Sequence, residues 1–264
     1  VIDVDATVAA LAEHPTRTAL LVDFDGSLAP FVAHAEDARP LPGVVDVIER
    51  LVAGLGRVAI VSGRPLSYLT RHVPIRGLAY AGLYGMERSI DGEYSVDPRV
   101  RPYLVAVAAG TSELEALLPA DLVEPKAGIS VTLHWRPAPE LADEIVALAH
   151  DVGTRHGLAS LRTRYAIELR PPIDIDKSDP TRAFVDGFDV AAFAGDDYGD
   201  LPAFAELVRL RDDGRLRRAI RVGVTSDEAP PELGDAVDLV VEGPPGLLAL
   251  LVRLADEIGE PVRR

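Results

Sequence analysis

The stretch Thr18-Ala19-Leu20-Leu21-Val22-Asp23-Phe24-Asp25-Gly26-Ser27 decides how the rest of the chain is read. Thr18 to Asp23 is a short continuous apolar run ending in acid, the pattern of a strand covered on both faces. Asp23 and Asp25 lie two apart and share a face if strand geometry continues. Two carboxylates so placed repel each other unless a cation or a reaction uses them. Gly26 lets the chain turn tightly behind them. Taken alone, the same residues also spell an ordinary Asp/Gly turn after a strand.

Outward from this stretch, strand and helix patterns alternate. Pro42 to Gly54 has helical periodicity, with Val44, Val47, Ile48 and Leu51 on one face. Arg57 to Val61 is a second buried-strand run, Pro65 to His72 a short helix, and Leu78 to Gly82 a third strand. This rhythm predicts a parallel sheet covered on both faces. Asp91-Gly92 then marks a hairpin between Arg88–Ile90 and Glu93–Ser95. A helix is expected over about 100–118, paired strands over Leu122–Lys126 and Ile129–Trp135, and an amphipathic helix over Pro139–His156. Further strand follows at Leu161 and Tyr165–Leu169. After Pro171-Pro172 the parallel rhythm resumes, with strands at Val190–Ala194, Ala219–Val224 and Val237–Val241. Helices are expected over Asp179–Gly187, Asp200–Arg211 and Pro245–Ile258.

Composition bounds the function. The chain has 264 residues, 48% of them hydrophobic and 26% charged, which excludes wholesale disorder. Its net charge of -15 argues against nucleic acid as a partner, because phosphate-backbone contacts need clustered Lys and Arg. No apolar run approaches the ~20 residues of a membrane span, so no membrane partner is expected. No basic, apolar, small-residue leader is expected at the chain's start, and with no Cys there are no disulfides. A cytoplasmic location and a monomeric state are the expectations. Only two basic residues are lysine, Lys126 and Lys177; the rest are arginine. Coding bias explains that as readily as a need for compact point charges.

Three more segments could carry chemistry. Gly195-Asp196-Asp197-Tyr198-Gly199-Asp200 follows a predicted strand and clusters carboxylates as a hard-cation site does. It also reads as an acidic solvated loop, with Asp200 as a helix N-cap. Ser62-Gly63-Arg64 follows another strand, where a hydroxyl and loop N–H groups could hold a phosphoryl oxygen. Asp176-Lys177-Ser178 precedes a helix and offers an ammonium. All four segments fall at element ends on one sheet edge, where ligands bind in open α/β sheets.

In this order the four segments resemble the motifs of the haloacid dehalogenase-like phosphatase superfamily. The finer resemblance is to the trehalose-6-phosphate phosphatases. It rests on LLVDFDGSLAP, AIVSGRP, YAGLYGMER, KAGISVTLHWR, YAIELRPPIDIDKSDP and FAGDDYGDLPAF, which together run through most of the chain. The chain departs from that pattern at Ser27 (usually Thr), Tyr84 (usually His) and Ser178 (usually Gly). The resemblance implies an α/β fold, a Rossmann-like core with a parallel sheet plus a smaller α+β cap. The expected division is 1–99 and 171–264 for the core and 100–170 for the cap.

It also implies roles. Asp23 would be the nucleophile and Asp25 the acid/base. Ser62 and Lys177, with Gly63 and Arg64, would hold the phosphoryl group. Mg2+ would be held by the Asp23 side chain, the Asp25 carbonyl and Asp196, with Asp197 and Asp200 behind it or ligating in their place. The cap would close over a phosphorylated disaccharide, trehalose 6-phosphate, using Lys126, Ser130, His134, Arg136, Glu168 and Arg170. On the predicted strand, Ser130, His134 and Arg136 share a face opposite Ile129, Val131, Leu133 and Trp135. Sucrose phosphate, mannosyl-phosphoglycerate or a pseudo-disaccharide phosphate are alternative substrates. A non-enzymatic phospho-receiver is the alternative of another class, but receivers are about half this length and carry their acidic pair first.

Overall fold

The structure is a computed structural model, which describes residues 3–32, 35–136, 138–163, 165–225, 229 and 233–259. The chain divides into two compact units, Val1–Ser95 with Ile175–Arg264, and Val96–Asp174. Along the first part run α1 (Val4–Ala12), β1 (Thr18–Val22), α2 (Val44–Gly54), β2 (Arg57–Val61), α3 (Leu66–His72), β3 (Ala79–Gly82), β4 (Glu87–Ile90) and β5 (Glu93–Val96). The middle part contains α4 (Leu104–Leu117), β6 (Val123–Lys126), β7 (Ser130–His134), α5 (Ala142–His156), β8 (Ala159–Arg162) and β9 (Ala166–Arg170). The last part contains α6 (Ser178–Val185), β10 (Val190–Gly195), α7 (Leu201–Asp212), β11 (Arg218–Val224), α8 (Leu233–Ala236), β12 (Leu239–Val241) and α9 (Gly243–Ile258).

The larger unit is built on an eight-stranded sheet in the order β12-β11-β10-β1-β2-β3-β4-β5. It is parallel from β12 to β3 and turns antiparallel at β3–β4. Alternate residues of each central strand face opposite layers. Leu20, Val22, Val58, Ile60, Ala192 and Ala194 pack with side chains of α1, α2, α3 and α9. Ala19, Leu21, Ala59, Val61 and Phe193 pack with side chains of α6 and α7. Burial on both sides is why these strands read as unbroken apolar runs rather than as alternating ones.

Sequence patterning did not signal α1, whose nine residues segregate apolar and polar faces weakly. What makes it a helix is an N-cap and tertiary packing: Asp3 accepts the Ala6 N–H at 2.7 Å, and Val8 and Leu11 join the same apolar layer as α9.

The smaller unit carries a four-stranded antiparallel sheet in the order β6-β7-β9-β8. Val131, Leu133, Ile167 and Leu169 point from one face into a core shared with Val107 and Leu114 of α4 and Ile145, Ala149 and Val152 of α5. The opposite face is polar.

Candidate active site

Strand order explains why distant segments meet. From β1 the chain winds outward through β2 and β3 on one side, then returns to β10, β11 and β12 on the other. The carboxyl ends of β2, β1 and β10 are therefore neighbours at the point where the winding reverses. Val22 pairs with Ile60 on one side and Ala194 on the other. The ladder continues one step further, with the Asp23 N–H donating to the Ala194 carbonyl at 2.8 Å. Asp23 thus stands between the start of the 195–200 loop and the start of the 62–64 loop.

The Asp23 carboxylate is buried and ion-paired to Lys177, with Nζ 2.9 Å from its Oδ1. Lys177 Nζ also donates to Asp200 Oδ1 at 2.6 Å. Burial alone would lower the Lys177 pKa, but the Asp200 and Asp23 carboxylates outweigh it and hold the ammonium charged well above its ordinary range. Burial raises Asp23 well above the usual carboxylate range against the pull of Lys177, and pushes Asp200 up to about 6. Asp200 occupies the N-cap position of α7 but does not cap it. Its Oδ2 instead accepts the N–H groups of Asp196 and Asp197, at 2.8 and 3.1 Å, in the loop behind. One side chain thereby fixes both the loop and the lysine.

Asp25 follows on the next turn. Arg64 grips it with two parallel bonds, Nε to Oδ2 and Nη2 to Oδ1, each 2.7 Å. Such a fork fixes carboxylate orientation as well as distance. The guanidinium lies 4.6 Å over the Tyr68 ring, which itself meets Phe24 edge-on. Ser62 is buried, and its Oγ accepts the Arg64 N–H at 3.2 Å. The Tyr84 ring lies against Gly63. Gly26, at φ 75°, is required by the close approach of Asp196: a Cβ there would lie 2.1 Å from the Asp196 carboxylate. The Ser27 hydroxyl donates to Asp196 Oδ1 at 3.3 Å.

Carboxylate oxygens of Asp23, Asp197 and Asp200 lie within 4.8 Å of one another. Asp197 Oδ1 is buried without a hydrogen-bond partner. An orphaned carboxylate oxygen beside two further carboxylates fits a hard divalent cation such as Mg2+. This cluster draws in Asp197 and Asp200, whereas the Asp196 carboxylate packs against Gly26 and Ser27.

On the smaller unit's polar face, register sets Lys126 opposite Ser130, and Thr132 between Glu124 and Glu168. Ser130 Oγ donates to Glu168 Oε1 at 2.6 Å, and His134 Nε2 lies 2.8 Å from Glu124 Oε2. Arg170 shares this face with Glu168, since Ile167 and Leu169 point the other way. Arg136 does not extend the row: β7 ends at His134, and the exposed Arg136 lays its guanidinium 4.2 Å over the Tyr165 ring. Trp135, just before Arg136, still donates its N–H to the Tyr165 carbonyl at 3.0 Å and stays in the core. Sequence reading passed over Glu124 and Thr132, although both have the parity of residues it chose. The Thr132 hydroxyl is buried without a hydrogen-bond partner. It also passed over Glu87, whose neighbourhood only sheet pairing reveals. Burial raises the Glu87 carboxyl, and the Leu66 N–H and Tyr94 hydroxyl work against that rise.

A doubly wound parallel sheet with two aspartates after its central strand, a lysine and a final acidic loop defines the haloacid dehalogenase-like class. The model of the family described as Trehalose-phosphatase matches residues 21–230. The chain belongs to that family. Among curated relatives, the trehalose-phosphate phosphatase of Mycobacterium marinum is 34% identical over 218 residues, 75% of this chain and 55% of the relative. That of Mycobacterium leprae is 30% identical over 221 residues, 78% of this chain and 51% of the relative. The chain thus spans a little over half the length of these relatives. Among solved structures, the C-terminal domain of Candida albicans trehalose-6-phosphate phosphatase aligns with a TM-score of 0.75 at 17% identity, covering 97% of each chain. A trehalose-6-phosphate phosphatase related protein aligns at 0.72 and 20%, covering 90% of this chain and 97% of the other. At those identities the likeness is one of fold.

Proposed function

We propose that the chain is a Mg2+-dependent phosphatase that hydrolyses trehalose 6-phosphate to trehalose and phosphate. The observation that carries this reading is the buried Asp23 carboxylate, paired to Lys177 and followed two residues later by an Asp25 clamped by Arg64. One carboxylate is buried beside the Lys177 ammonium, which favours its charged, nucleophilic form; the other is held for proton transfer. A cation held by Asp23, Asp197 and Asp200 supplies, when bound, positive charge that offsets the repulsion between the Asp23 carboxylate and a phosphate dianion.

In this reading Asp23 attacks phosphorus in line, and the bond from phosphorus to the sugar oxygen breaks as Asp25, entering the step as the carboxylic acid with one oxygen released from the Arg64 fork, delivers its proton to that oxygen. An aspartyl-phosphate remains on Asp23. Asp25, now a carboxylate, takes a proton from water, whose oxygen displaces Asp23 and releases phosphate. Lys177 and Ser62 with its loop hold phosphoryl oxygens as charge redistributes. The trehalose assignment draws on the family and on the polar face bearing Lys126, Ser130, Glu168 and Arg170. There the unpartnered Thr132 hydroxyl and paired carboxylates suit a ligand made of hydroxyls.

The test is phosphate release from a panel of phosphorylated mono- and disaccharides, with and without Mg2+. Turnover is expected to be highest on trehalose 6-phosphate and to vanish without the metal. Asp23→Asn is expected to cut turnover by at least about a thousandfold while the protein stays folded. Full activity in that variant, or a clear preference for another sugar phosphate, would refute the corresponding part.

A further inference from the structure

The segment from Ser62 to Leu66 is held from one side by β3 and the residues after it. The Ser62 N–H donates to the Ala81 carbonyl at 2.9 Å, Leu83 N–H to the Arg64 carbonyl at 3.0 Å, and Tyr84 N–H to the Ser62 carbonyl at 3.0 Å. A fourth bond differs in kind: the Leu66 N–H donates to the Glu87 carboxylate, Oε1, at 2.5 Å. Glu87 is 2% exposed, and its register partner on β3 is Gly82. That glycine permits the approach. A Cβ on it would lie 2.7 Å from the Leu66 nitrogen and 2.9 Å from both the Arg64 carbonyl oxygen and Glu87 Oε1. The chain between these strands is strained as well, with Leu83 and Tyr84 at left-handed φ of 51° and 59°.

Packing alone does not call for a carboxylate here. Burying one is costly, and the hydrogen bonds made by Glu87 go to two neutral groups, the Leu66 N–H and the Tyr94 hydroxyl at 3.1 Å. An apolar side chain would fill the space more cheaply. What the side chain adds is an acceptor oxygen at the reach of one amide, two residues beyond Arg64.

We propose that Glu87 is a positioning residue: its buried carboxylate anchors the Leu66 amide and so sets the turn that delivers the Arg64 guanidinium to Asp25. This rests on the phosphatase reading above, because it gives Asp25 the proton transfers. Glu87 touches neither the phosphate nor the sugar. It acts through the backbone of residues 64–66, and its loss is felt where Arg64 meets Asp25.

A double-mutant cycle tests this, read as kcat/KM on the sugar phosphate that the wild-type protein turns over best. Glu87→Asp keeps the charge but withdraws the acceptor by one methylene. It is expected to cost about tenfold in the wild-type background and less than about twofold when Arg64→Ala is already present. Glu87→Gln, which keeps the reach and an acceptor oxygen, is expected to recover most of the loss. Additive effects of Glu87→Asp and Arg64→Ala would overturn the assignment, since a loosened fold harms both backgrounds alike. Equal losses from Glu87→Asp and Glu87→Gln would overturn it too. A wild-type protein inactive on every sugar phosphate would overturn both this assignment and the phosphatase reading; an active one with an additive cycle would overturn only the role of Glu87.

Discussion

The Arg64 side chain is the most informative contact at the scale of single residues. It spends both arms of its fork on Asp25 and lies over Tyr68, so two side chains fix the orientation of one carboxylate. If Asp25 protonates the departing sugar oxygen, the need for that geometry depends on the leaving group. A sugar alkoxide requires the proton; p-nitrophenolate leaves without it. Arg64→Ala is therefore expected to lower kcat/KM on the sugar phosphate by about a hundredfold and on p-nitrophenyl phosphate by less than about tenfold. Equal losses on the two substrates would count against Asp25 as the acid. Asp200 teaches a related lesson. Its position at the start of a predicted helix suggested an N-cap. The carboxylate instead faces backwards onto two loop N–H groups and Lys177. Residue type and local position are compatible with both uses, and only the loop's path decides.

At the scale of elements, α6 and α7 are tied by Glu206 of α7, a buried glutamate that takes Arg182 Nε of α6 at 2.6 Å and Arg209 Nη2 of its own helix at 2.7 Å. Burial works to raise its pKa, but hydrogen bonds from Arg209 and Arg182 win and hold it at about 2. The folded-state pKa is thus depressed below the ordinary 4.5. The stabilisation is complete above about pH 4.5 and is lost as the pH falls towards 2. Glu206→Gln is expected to melt about 2–4 °C below the wild type at pH 7. The gap should narrow between pH 4.5 and 3 in thermal melts followed by circular dichroism. A gap independent of pH would show that the ion pair contributes nothing. The same scale separates what periodicity could show from what it could not. The buried strands of the large sheet were legible because covering on both faces demands unbroken apolar runs. The polar face of β7 was legible at Ser130 and His134. Past the end of β7 the alternation continues for one more pair, with Trp135 in the core and Arg136 exposed.

At the scale of the whole molecule, the winding order brings segments of the chain far apart in sequence to one edge of the sheet. Asp23, Asp197 and Asp200 come from two loops, so a cation held by them would cross-link β1 to β10 and α7. Anything that binds only the folded state stabilises it, by about 2.7 kcal/mol at a hundred times its dissociation constant, and so raises the melting temperature. Saturating Mg2+ is expected to raise the Tm of the wild type, and Asp197→Asn to abolish most of that increment. An undiminished increment in the variant would place the cation elsewhere.

The sequence by itself determined the strand-helix rhythm, the four chemical segments in their order and the polar parity of β7, because each is written in neighbouring residues. Their assembly was not written there. Register between strands sets Asp23 beside Ala194 and Gly82 opposite Glu87, and such pairings depend on packing across more than one layer. Asp197 rather than Asp196 joining the carboxylate cluster, Arg64 gripping Asp25, and Glu87 reaching the Leu66 amide were decided only by tertiary structure. A side chain's partner across the fold is fixed by where two backbones pass, and no local pattern of residues records that distance.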